Sequence, residues 1–241
     1  MAVHGRYTRI LLDEFDFSGV NNTAEVSISS DSADVTTFQA SAKEYVTLSA
    51  EGTITHQGYY TSAEDGYMEA ELQQRMATTT SIAAVLFGTS AASYPAYVLT
   101  DTGTKDMAIN GSTGSVITLN GGYHGGSGIK RGIVLYRGTV SATGASTYVD
   151  MGSAGSNGGY VYLFVQAIAG TASSATVKFQ SASSSGGSYA DEATITFSAV
   201  GASAGAMTGT VERYMKINTT SLGGATSFVI VAVACVNGVT M

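Results

Sequence analysis

A chain of 241 residues with 44% hydrophobic and 12% charged side chains is too apolar to be disordered and long enough to bury a core, either as one large domain or as two of roughly 100 to 140 residues. Thirty glycines against one proline, with abundant Ser, Thr and Ala, argue against a helical protein and for many short strands joined by turns. The net charge of −7 is uneven, with 14 acidic and 8 basic side chains in residues 1–138 against 4 and 3 in 139–241, and neither part carries the basic footprint of a nucleic-acid binder.

In chain order, residues 6–13 (RYTRILLD) read as a first strand and 14–19 as a polar turn. From residue 22 the pattern alternates, with Ala24, Val26 and Ile28 on one side and Thr23, Glu25, Ser27 and Ser29 on the other, which predicts a half-buried strand. The SSDS run at 29–32 supplies turn chemistry, and VTTF at 35–38 resumes a β-rich segment, so a hairpin with its polar tip at 29–32 is expected. After a polar bridge at 39–44, residues 45–48 and 52–60 read as further extended chain.

The texture changes at Thr61. Ser62 and Asp65 fit a capping box, Met68, Leu72 and Met76 recur every fourth residue, and Glu71 stands four before Arg75, so one helix packing a stripe on a sheet is expected here. Residues 82–87 read as a strand or a continuation of the helix, and 94–100 as a strand entered through Pro95. Residues 107–110 and 115–119 alternate again and lead into the glycine-rich run 121–128, which is expected to be a flexible hairpin loop. Residues 129–137 return to strand.

Near Gly138 charge density falls and Gly, Ser and Ala take over, which places a domain boundary there. Six strands are expected beyond it, at 147–151, 160–169, 175–181, 193–200, 210–218 and 228–236, with turns at 152–159, 183–188 and 201–205. Their spacing fits a small β-sandwich or jelly roll. Cys235 lies in the apolar run 228–236 and reads as a small core residue; as the only cysteine it excludes an intrachain disulfide. That run is half the length of a membrane-spanning helix, and residues 1–15 lack a signal-peptide pattern, so a soluble product made in a cytoplasm, with no membrane partner, is expected.

Four fragments carry a resemblance: LLD-x-F-D-x-S-G at 11–19, AD-VTTF at 33–38, AK-x-Y at 42–45 and G-x-I-x-x-x-G-Y at 52–59. In this order they resemble the N-terminal part of the tail tube (major tail) proteins of long-tailed bacteriophages. The stretches at 160–182 and 208–217 resemble small accessory β domains of phage virion proteins. The resemblance implies an all-β fold with one short helix. A tail-tube β-barrel or sandwich over 1–138 would be followed by an Ig-like or jelly-roll β-sandwich over 139–241. It implies subunits that close into rings, usually hexameric, and stack into a tube in the virion tail through which DNA passes. The partners would be further copies of the chain, a tape-measure protein, and tail terminator or baseplate proteins. Contacts between subunits or rings would fall on residues 30–50, and we single out Asp31, Asp34, Val35, Thr36, Thr37, Phe38, Lys43 and Tyr45. Two placements of the second domain stay open: on the exterior, or in the ring so that three two-domain chains mimic six.

Catalytic chemistry finds no support in the residues. His4, His56 and His124 have no Cys, His or carboxylate at ligand spacing, and the cluster Asp13, Glu14 and Asp16 reads as a solvated turn, so neither a metal nor another cofactor is expected. Gly201-Ala-Ser203-Ala-Gly205 matches G-x-S-x-G, but a nucleophile elbow needs a strand before it, a helix after it and a later histidine, and none follows Ser203. The competing function is a carbohydrate-binding β-sandwich of a fibre or adhesin, with some of the 14 tyrosines as a sugar platform in a chain that has no tryptophan.

Overall fold

A computed structural model describes residues 7–36, 42–43, 45–60, 66–77, 80–88, 92–126 and 128–239. The elements in chain order are β1 (Thr8–Leu12), β2 (Phe15–Asp16), β3 (Asn21–Asp34), β4 (Tyr45–Tyr59), the helix α1 (Gly66–Gln74), β5 (Ser81–Phe87), β6 (Pro95–Asn110), β7 (Thr118–Gly125) and β8 (Ile129–Val140). There follow β9 (Gly144–Ala145), β10 (Val149–Asp150), β11 (Gly159–Gly170), β12 (Ala175–Ala182), β13 (Ala190–Phe197), β14 (Gly201–Met207), β15 (Tyr214–Ser221) and β16 (Ala225–Val236). The fold is all-β with one short helix. Residues 82–87 are strand, not helix, as their β-branched and apolar content and almost continuous burial require.

Two compact units are built from interleaved segments. One draws on Met1–Gly19, Ile82–Val98 and Lys130–Met241, the other on Val20–Ser81 and Leu99–Ile129. Strand β6 contributes its first four residues to the former and the rest to the latter. The composition change near Gly138 falls inside β8, where Gly138 pairs with Ile230.

The first unit is a sandwich. Its larger sheet runs β14-β11-β16-β8-β6-β5-β1-β2, and its smaller sheet runs β10-β15-β12-β13 with β9 beside β15. Val161, Leu163 and Val165 of β11 and Ile230, Ala232 and Ala234 of β16 face Val177, Phe179, Met215 and Ile217 of the smaller sheet in one core. Phe197 and Phe228 meet edge to face in that core with ring centroids 5.1 Å apart. The intervening residues Tyr162 and Phe164, and Val231, Val233 and Cys235, enter a second core on the opposite face with Leu11, Ala84, Leu86 and Val98. Burial on both faces explains why β11 and β16 read as continuous apolar runs without alternation. It also pushes the Cys235 thiol up to about 12, as befits a core residue and not a nucleophile.

Strand β14 corrects the expected turn at 201–205. Gly201 to Met207 pair with β11 in unbroken register, Ser203 opposite Leu163, so the G-x-S-x-G match sits in an edge strand. Small side chains hid it, because Gly, Ala and Ser carry no alternation. The neighbouring strand expected at 210–218 begins later, at Tyr214. At the β1–β2 turn, Asp13 adopts φ 49°, and its carboxylate accepts the Ile82 N–H at 2.9 Å while Asp16 accepts the Ser18 N–H at 2.9 Å. The acidic cluster therefore holds backbone and is not merely a solvated turn.

The second unit is a sheet in the order β3-β4-β7-β6. Here the glycine-rich run is a correction: Gly121, Gly122 and Gly125 lie within β7, and the expected loop shrinks to the chain after Gly125. A Cβ on Gly125 would stand 2.4 Å from the Thr100 carbonyl oxygen, and one on Gly121 would stand 2.6 Å from His56 Nε2, so these glycines mark close approach and not flexibility. Helix α1 buries Met68 and Leu72 in this unit, and Glu71 pairs with Arg75 one turn on. Met76 departs from the expected stripe: the chain tightens into a 3-10 turn at Arg75–Ala77, and the side chain is 48% exposed. The proposed capping box at 62–65 lies outside the described residues.

Candidate functional site

The hairpin is built differently from the expected one. Strand β3 runs unbroken through 29–32, so no turn forms there, and it pairs with β4 from Asn21 opposite Gly58 to Asp34 opposite Tyr45. The Ser-rich run is accommodated by a register shift between Ser30 and Ser32, which places Asp31 at a bulge. Turn-forming residues are overridden because Ser29, Ser30 and Ser32 still take their places in a long backbone ladder.

A third strand supports only half of this hairpin. Strand β7 pairs with β4 from Thr53 to Tyr59, and among the described residues 45–52 have no partner but β3. Residues 28–34 and 45–52 thus form a two-stranded ribbon, reaching about 20 Å at the usual rise per residue. Burial changes at the same point. Val26, opposite the fully buried Ile54, is half-buried, whereas Ile28, opposite Gly52, is 58% exposed. The alternation that predicts Ile28 as a core residue is real, but the sheet that would cover it has ended.

The candidate contact residues divide accordingly. Asp34, Val35, Thr36 and Lys43 are exposed, with Val35 at 44%. Asp34 and Tyr45 are paired in the ribbon ladder, and Asp31 lies at its bulge. The Thr36 hydroxyl and N–H both donate to the Asp34 carboxylate, at 2.5 and 2.9 Å, and hold its pKa below the usual range. Thr37 and Phe38 lie outside the described residues. Ile28 belongs with the group, although alternation places it on the apolar side of a half-buried strand.

In the half of the hairpin that β7 supports, the second unit contains a buried polar chain. His56 Nδ1 stands 2.8 Å from Asn21 Oδ1, and Nε2 stands 2.8 Å from the Tyr123 hydroxyl. Because the Asn21 amide nitrogen donates to the Met68 sulfur at 3.7 Å, its oxygen accepts, so Nδ1–H is the donor and Nε2 accepts from Tyr123. Burial lowers the His56 pKa to about 4, which keeps the ring neutral. Closed in this way, it is a structural joint with no open face for a substrate. Among the described residues no three His, Cys, Asp or Glu side chains converge as a metal site, and no helix is long and apolar enough to cross a membrane. A cleft of about 210 Å³ at Tyr136, Thr139 to Ser146, Ile217 and Thr219 is lined by hydroxyls, backbone and apolar groups without a charged side chain.

Comparison with known proteins gives no matching family model and no matching curated protein. Solved structures similar in part include a chain from the virion of the native gene transfer agent particle, at 11% identity and TM-score 0.41 over 53% of this chain and 97% of that one. Another is a chain in the tube-terminating cap of the anti-feeding prophage, at 5% identity and TM-score 0.43 over 54% and 91%. A third is the Dit protein of SPP1, from the hub adsorption apparatus of a phage infecting Gram-positive hosts, at 10% identity and TM-score 0.37 over 93% and 98%. These identities and scores are too low to assign a role.

Proposed function

We propose that the chain is a structural subunit of a phage-type tail, which self-associates into rings that stack into a tube. The observation that carries the reading is the ribbon of β3 and β4: a two-stranded extension that pairs with no third strand among the described residues, with Ile28 exposed on it and Val35 exposed just beyond it. An isolated ribbon of this kind is marginally stable by itself and gains most by pairing or packing against another chain. Two of the four fragments that carry the tail tube resemblance, 33–38 and 42–45, fall at its far end. Chain-order counting assigns the acidic excess to residues 1–138, and the compact units sharpen it. The second unit holds 11 acidic and 3 basic side chains, the first unit 7 and 8.

In this reading the second unit faces the lumen, where like charge keeps DNA phosphates from adhering to the wall. The ribbon, with Asp31, Asp34, Val35, Thr36, Thr37, Phe38, Lys43 and Tyr45, meets neighbouring subunits. Residues 139–241, which supply the smaller sheet, decorate the exterior. Rings of six, a tape-measure partner and terminator or baseplate partners follow from the resemblance. Electron microscopy of concentrated protein tests the class: stacked rings with a central hole are expected, and a monodisperse monomer in the presence of a tail initiator complex would overturn the reading. Hydrogen exchange tests the ribbon, since residues 30–50 should gain protection on assembly, and equal protection in monomer and tube removes them from the interface.

A further inference from the structure

A second surface, independent of the ribbon and of the tube reading, lies on the solvent face of the smaller sheet in the first unit. Strand β15 alternates strictly, with Met215, Ile217 and Thr219 inward and Tyr214, Lys216 and Asn218 outward. Asp150 of β10 sits opposite Tyr214, and Gln180 of β12 opposite Lys216, so these side chains share one face. The Tyr148 and Tyr214 rings meet edge to face at 5.5 Å, and Tyr148 remains 43% exposed. Arg213 forks onto Asp150 through two hydrogen bonds of 2.7 Å while its guanidinium carbon stands 5.2 Å from the Tyr214 ring centre. Tyr189, from the β12–β13 connection, carries the Lys216 ammonium 3.7 Å over its ring and donates its hydroxyl to the Ser185 carbonyl at 3.2 Å.

We propose that this face, centred on Tyr148, Tyr214, Tyr189, Asp150, Arg213 and Lys216, binds a glycan of pyranose units. A sugar ring presents C–H groups on one side and pairs of adjacent hydroxyls at its rim. The exposed Tyr148 ring, braced by the half-buried Tyr214, matches the former, and a planar carboxylate or guanidinium matches the latter. Each side chain of the group is already held by another, so little rotamer freedom remains to be lost on binding. The alternatives fit less well. Asp150 offsets Arg213 and Asp191 offsets Lys178, so the face lacks the cationic track a polynucleotide needs. Gln180, Lys216 and Asn218 share the face with the rings, a more polar surface than the apolar core of a protein interface.

The test uses the full chain with maltohexaose, cellohexaose and chitohexaose as probes, read by saturation-transfer NMR and by tyrosine fluorescence, which no tryptophan obscures. Saturable binding to at least one probe, with a Kd near millimolar, is expected. Tyr148→Ala should weaken it about tenfold, the loss of one good contact. Arg213→Lys, which keeps the charge and loses the fork, should weaken it comparably. Tyr59→Ala, an exposed tyrosine of the other unit, should leave it unchanged. Tyr148 is exposed, so its truncation leaves the core intact, and an unchanged melting temperature verifies it. Three results would overturn the proposal: no saturable binding to any probe, undiminished binding by Tyr148→Ala, or tighter binding of a ten-residue oligothymidylate than of every sugar.

Discussion

His56 shows how a residue that reads as isolated in the sequence acquires its chemistry from the fold. Thirty-five residues separate it from Asn21 and 67 from Tyr123, so neither hydrogen bond is visible as a motif. Its pKa, lowered from 6.5 to about 4 by burial, makes the neutral ring a stability element. Below the unfolded value the unfolded chain binds a proton that the folded chain refuses, so stability is fully present above pH 6.5 and is lost as pH falls towards 4, at about 1.4 kcal/mol per unit. Urea titrations across this window should therefore give a steeper pH dependence for the native chain than for His56→Gln. Parallel profiles would show that protonation is not excluded. Asp13 teaches the converse: its place in an acidic cluster is legible, but its bond to the Ile82 N–H, 69 residues away, is not.

At the scale of elements, patterns were legible where side chains are large and alternate, and illegible where glycine and serine carry the backbone. Strands β5, β11, β12 and β16 fall close to the segments their apolar content marks, and the Met68–Leu72 spacing locates the helix. The glycine run of β7 and residues 201–205 of edge strand β14 read as loops because close approach to Thr100 and His56 in one, and pairing with β11 in the other, are long-range facts. The reading of β7 predicts that Gly125→Ala, forced against the Thr100 carbonyl, destabilises the chain by about 1–3 kcal/mol. Gly126→Ala, with no atom within 4 Å of the new methyl, should change it by less than about 0.5 kcal/mol. Equal denaturation midpoints for the two would remove the close-approach argument. On the ribbon the error ran the other way. Alternation placed Ile28 inside because it cannot report where the third strand stops. If the ribbon is the assembly element, Ile28→Asp leaves the melting temperature of the monomer within a few degrees of native and abolishes ring formation in micrographs. Rings that persist in this variant would exclude Ile28 from the contact.

For the molecule as a whole the decisive property is the division of charge. The sequence counted in chain order shows an acidic N-terminal part, but the compact units are interleaved, and only their segments reveal that one carries a net −8 while the other is near neutral at +1. A near-neutral unit offers no strong complement to the acidic one, so copies brought together in a ring set like charges against each other. Salt screens that repulsion, the Debye length shrinking from about 30 Å at 0.01 M to about 8 Å at 0.15 M, while apolar and backbone contacts of the ribbon are nearly indifferent to it. Assembly followed by light scattering should therefore strengthen as sodium chloride rises from about 0.01 to 0.3 M, and do so less in a variant with Glu25, Glu51 and Asp106 neutralised to Gln, Gln and Asn. A fall in assembly with salt would mean that subunits join by attraction between opposite charges. The acidic excess would then help to join subunits, and the like-charge account of the second unit would fall.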